Sequence, residues 1–134
     1  MISIVSVFSA IILANTYFWS GGQGYCAYDF AVLHSGDGYT NVEITLRPRF
    51  DPEQTASGRT ELDDAVIALE ALGGGRFFWS ASATVETDCS VEKFALVSAT
   101  ALDEAGAEVD LMKREGFEFE DYKPVDLEIA PDAQ

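Results

Sequence analysis

The stretch FFWSASATVETDC, residues 77–89, decides the fold. Its odd positions read Phe77, Trp79, Ala81, Ala83, Val85, Thr87 and Cys89; its even positions read Phe78, Ser80, Ser82, Thr84, Glu86 and Asp88. A period of two places the first set on one face of a β-strand and the second on the other. A second run repeats the pattern, with Cys26, Tyr28, Phe30 and Val32 sharing a side. Both thiols then face one core, so Cys26 and Cys89 are expected to form a disulfide, a bond made outside the cytoplasm.

Working outward, Ser35-Gly36-Asp37-Gly38 is turn chemistry, because Gly and Asp tolerate positive φ. Thr40 to Leu46 alternates cleanly, with Val42, Ile44 and Leu46 opposite Asn41, Glu43 and Thr45. Asp51 to Thr60 is polar and reads as a surface loop. Glu61 to Leu72 admits two readings. Thr60 and Asp63 could cap a helix with a Leu62, Val66, Leu69, Leu72 stripe, or Ile67, Leu69 and Ala71 could line one side of a strand. The period of two around it favours the strand. Val91 to Leu102 is apolar on both faces, as in a central strand covered from both sides. After a turn at Asp103–Gly106 come Glu108–Met112, then Phe117 and Phe119 alternating with glutamates, then Val125, Leu127 and Ile129 alternating with acids. Short strands at this spacing give an all-β fold: an antiparallel immunoglobulin or fibronectin-III-like sandwich of seven to eight strands with one intradomain disulfide.

The N-terminus reads differently. Met1 to Gly24 contains no Asp, Glu, Lys or Arg, and Ile2 to Ala14 is apolar apart from three serines. That is the length of a signal-peptide core and is short of the roughly 20 residues a spanning helix needs. Residues 1–24 are therefore expected to be a signal peptide or hydrophobic leader, residues 25–130 the sandwich, and residues 131–134 a polar tail. A retained membrane anchor and a first core strand are the other readings of this segment; the leader lacks a basic n-region and a clean cleavage site.

Eight basic residues against 23 acidic ones leave a net charge of −15. Such a field repels phosphate backbones, so nucleic acid is not an expected partner, and neither is a membrane once the leader is removed. One histidine, His34, and two cysteines committed to each other leave no zinc set and no nucleophile with its base. No phosphate-binding glycine loop is present. Glu118 and Glu120 share a strand face, which a glycosidase would need to set beside a cleft. Asp103, Glu104, Glu108 and Asp110 flank one turn and are hard oxygen ligands, so an acidic Ca²⁺-binding domain is an alternative function.

Tyr28-Asp29-Phe30 in an aromatic early strand, the strand Asn41–Leu46, the strand ending in Cys89, Ser90-Val91-Glu92-Lys93 and a hairpin at Gly106 together resemble one family. It is the IrmA type of small secreted bacterial proteins, interleukin-receptor mimics with a fibronectin-III-like sandwich. The resemblance covers about residues 25–112. It implies binding and no catalysis. Family members carry further cysteines after the position of Cys89, and this chain has none.

The expectation is a secreted or periplasmic, non-enzymatic protein-binding module without cofactor or metal; a membrane-anchored envelope module is the rival to soluble export. Phe78, Arg59 and the loop Asp51–Thr60 are the candidate contacts. A homodimer by edge-strand pairing or exchange is a secondary expectation.

Overall fold

Alternating apolar positions build almost every element of this chain. The computed structural model describes residues 10–73, 75–120 and 125–131, and only the backbone of Ala10 and of residues 75–80. In chain order the elements are β1 (Ala10–Gly22), β2 (Tyr25–Gly36), β3 (Tyr39–Arg49), β4 (Ala65–Leu72), β5 (Gly75–Asp88), β6 (Lys93–Leu102), β7 (Glu108–Asp110), α1 (Leu111–Arg114), β8 (Gly116–Phe119) and β9 (Asp126–Ile129). One sheet runs β5-β2-β1-β8; the other runs β4-β3-β6, with β7 and β9 sharing the far side of β6.

The inward faces are those the sequence period predicts. Cys26, Tyr28, Phe30 and Val32 of β2 and Val42, Ile44 and Leu46 of β3 are all buried. The Phe94 ring joins the sheets, meeting Tyr28 edge-on at 5.2 Å and Phe30 at 5.4 Å. Such edge-to-face pairs add roughly 0.5–1.5 kcal/mol each beyond area burial. The ambiguous stretch is a strand, as favoured. Ile67 and Leu69 of β4 point inward, but Ala71 is exposed and Leu72 takes the last buried place. Strand β6 is covered on both faces, since Ala95 packs with Ala130, Val97 and Met112 behind it.

Three expectations change. The described strands number nine, and two of their pairings are parallel: β1 with β8, and β6 with β9. Antiparallel order fails there because β8 and β9 do not arrive by hairpins; the chain leaves the first sheet after β8 and pairs next with the second. Glu108–Met112 gives only a three-residue strand, because the Asp110 side chain caps α1 by accepting from the Met112 amide. Finally, the domain does not start at residue 25. From Ala10 onward the expected leader or anchor is strand β1, antiparallel to β2, with Ile11, Leu13 and Ala14 fully buried. An uncharged apolar run suits an interior strand as well as it suits a leader, and burial between two neighbours decides the matter here. Residues 1–9 and the tail beyond Pro131 lie outside the described residues. No helix among the described residues is long and apolar enough to cross a membrane.

Candidate functional site

Cys26 and Cys89 are bonded, with Cα atoms 4.9 Å apart across a 63-residue separation. Cys26 lies in β2 and Cys89 directly follows β5, so the bond ties the end of β5 to the start of β2, its neighbour in one sheet.

Beside it lies a polar node that sequence reasoning placed on the solvent face. Asp88 is fully buried. Its carboxylate accepts from the amides of Ala56 at 2.9 Å, Ser57 at 2.8 Å and Ser90 at 2.8 Å, and from the hydroxyls of Ser57 and Ser90. Burial alone would push its pKa up, but the bonds from Ser57, Ser90 and Ala56 outweigh burial and hold it well below the carboxylate range. The Asp88 carbonyl also accepts the Tyr28 hydroxyl at 2.7 Å, and burial followed by the Asp88 charge pushes that phenol up to about 12. The loop Asp51–Thr60 is thus anchored at Ala56–Ser57, where Gly24 packs so closely that a Cβ there would lie 2.4 Å from the Ala56 backbone. Arg59 lies on the same loop, exposed, with Nη1 donating to the Tyr25 hydroxyl at 3.4 Å. The Phe78 side chain lies outside the described residues.

A second polar node closes the opposite end. His34 is fully buried; its Nε2 is 2.8 Å from the Asp37 carbonyl and its Nδ1 is 4.0 Å from Glu115 Oε1. The Tyr39 hydroxyl donates to Glu115 Oε2, and burial, then that bond, raises the Tyr39 pKa. Arg114 spans Asp37 and Asp103 at 3.4 Å each and lies over the Tyr39 ring. These side chains come from β2, the β2–β3 turn, β3, the turn after β6 and the α1–β8 junction, so they lock distant segments together. No sequence spacing could reveal that.

The acidic turn does not assemble a cation cage. Asp103 Oδ1 accepts from the Ala105 and Ala107 amides, Glu104 accepts from Gly38, and Asp110 caps α1. No group of three or more His, Cys, Asp or Glu positioned to hold a metal ion occurs among the described residues. Glu120 lines an open hollow of about 340 Å³ with Lys93, Phe119, Asp126 and Leu127, and Glu118 does not.

An exposed aromatic run among the described residues falls in the segment read as the leader. Tyr17 is 59% exposed, Trp19 43% and Phe18 36%, all on β1. Tyr17 and Trp19 stack at 5.9 Å, whereas Phe18 turns to the other face and stacks on Tyr28. Asn15 explains why this stretch is uncovered. The register of β1 against β2 shifts between Asn15 and Tyr17, and the buried Asn15 carboxamide donates to the Tyr17 and Asp29 carbonyls. Its Oδ1 accepts the Val125 amide at 3.1 Å. Pairing with β8 stops at Leu13, so beyond this bulge β1 has a strand neighbour on one side only among the described residues.

With this geometry in view, comparison with known proteins gives a short answer. No protein-family model matches the chain, and no curated protein matches it. Among solved structures, IrmA from Escherichia coli is similar, with a TM-score of 0.61 and 26% identity over 87% of this chain and 96% of that one. The class defined is a two-sheet β-sandwich with one disulfide, and it is IrmA-like in structure.

Proposed function

We propose that this chain is an exported, non-catalytic β-sandwich that works by binding another protein. The observation that carries the reading is the disulfide-stapled frame, similar to IrmA over 87% of its length, whose polar nodes are spent on locking segments together. Asp88 and Glu115 sit buried among bonds that hold the fold, and the surface that remains consists of strand edges and loops. A disulfide between these two positions fits an oxidising compartment. Any leader removed on export would end before Ala10, since β1 is part of the sheet.

Photo-crosslinking in intact producing cells tests the reading. A photoreactive side chain is placed singly at Tyr17, at Arg59 and at Glu43, which lies on the outer face of the other sheet. One discrete crosslinked protein from a single face, together with a Cys26–Cys89 peptide oxidised in thiol-trapped cells, is the expected result. A monomer uncrosslinked from every position, or a reduced pair in the cytoplasmic fraction, overturns it.

A further inference from the structure

The free side of β1 from Thr16 to Gly22 is a row of main-chain donors and acceptors with no strand beside it among the described residues. Edge strands are ordinarily protected by lysine, proline or inward charges. This one contains none of them: Thr16-Tyr17-Phe18-Trp19-Ser20-Gly21-Gly22 is uncharged and carries two stacked, exposed aromatic rings on its outer face. The neighbouring rows on that face supply carboxylates. Tyr17 lies opposite Asp29, whose Oδ1 takes the Thr84 hydroxyl, and Trp19 lies opposite Ala27, which lies opposite the exposed Glu86.

The charge on the strands beside this edge is acidic, and the Arg59 guanidinium reaches only the Tyr25 hydroxyl at its Gly22 end. From residue 1 to residue 46 there is no lysine or arginine, so β1 and β2 carry none, and neither does β8. The paired basic residues Arg47, Arg49, Lys93 and Arg114 sit on the other sheet or on α1. Aromatic faces attract cations through their quadrupole, and a carboxylate one row behind adds to that attraction. A second copy of the chain would bring another −15 to the same place.

Resting on the protein-binding reading, we propose that the β1 edge, Thr16–Gly22, accepts an extended basic segment of a partner protein as an added strand, its cationic side chains lying over Tyr17 and Trp19 toward Asp29. Main-chain bonds hold the segment and alternate side chains select it, as in other strand-addition complexes.

The probe is a short capped peptide alternating arginine with valine, titrated into the isotopically labelled full chain and read by amide resonances. The expected result is shifts centred on Thr16–Gly22, weakening severalfold between low and physiological salt. Trp19→Ala and Asp29→Asn each weaken binding about threefold, in line with surface cation–π and exposed charge effects. Alternate N-methylation of the peptide abolishes the shifts, because it removes its ladder donors. Equal binding of a glutamate–valine peptide, shifts confined to other strands, or no shifts overturn the proposal. So does self-association through Thr16–Gly22 that strengthens with salt, which assigns the edge to a second copy. Each of these outcomes fails this edge alone; a discrete crosslink from Arg59 would still support protein binding elsewhere on the molecule.

Discussion

Asp88 shows how much one residue can organise. It gathers three amides and two hydroxyls from Ala56 and Ser57, 32 and 31 residues away, and from Ser90, two residues away. Hydrogen bonds to a charged group contribute roughly 1.5–3 kcal/mol each when lost singly, and they are not additive. Asp88→Ala is expected to cost about 3 kcal/mol in urea unfolding at neutral pH. The sign of the pH effect follows from the lowered pKa. Asp88 contributes stability above the unfolded carboxylate pKa of about 4, and that contribution fades as the pH falls below it. Unfolding curves from about pH 5 down to pH 2 should therefore fall more steeply in the parent than in the variant. Parallel curves would contradict this. The sequence shows Asp88 only as an even-numbered, solvent-side position. Its burial arises because the loop at Ala56–Ser57 folds back over the strand end, and no periodicity records such a return. His34 is hidden for the same reason, since Tyr39 and Glu115 reach it from other segments.

Among the elements, β1 is the one whose identity the chain conceals. Where one face meets water, alternation reveals a strand, and so β2, β3 and β5 were legible from Cys26, Val42 and Val85 and their neighbours. Ile11, Leu13 and Ala14 are buried in a strand that β2 and β8 flank, where the apolar run does not alternate with polar residues and mimics an export signal. Partner choice is equally silent: Phe117 and Phe119 announce a strand but not that it runs parallel to β1. The aromatic edge was missed with it, because a segment read as removed offers no surface. The structure makes a definite demand in return. A chain beginning at Tyr25 lacks the strand between β2 and β8 and should lose the cooperative thermal transition seen with residues 1–134. Leu13→Ala in the full chain should cost about 3 kcal/mol by opening a cavity between the sheets. A shortened chain that melts as sharply as the parent would show that β1 is dispensable.

At the scale of the whole molecule, two opposed effects meet. The net charge of −15 disfavours compaction, while the Cys26–Cys89 bond closes a 63-residue separation and, in chain-entropy terms, contributes about 4 kcal/mol. The bond and the Asp88 node are adjacent: the Cys89 amide donates to the Gly24 carbonyl at 2.9 Å, and Gly24 packs on the Ala56 backbone that Asp88 holds. Reduction frees Cys89, and the carboxylate beside it can no longer hold the loop against the sheet in a fixed place. The two losses should therefore overlap. Oxidised Asp88→Ala is expected to lose about 3 kcal/mol, but the same substitution in reduced protein only about 1 kcal/mol, within the usual range of coupling between touching groups. Added salt should raise stability in all four states by screening the self-repulsion. A double cycle of urea unfolding, with and without reductant, measures the coupling. Strict additivity would mean that the staple and the polar node stabilise separate parts of the fold.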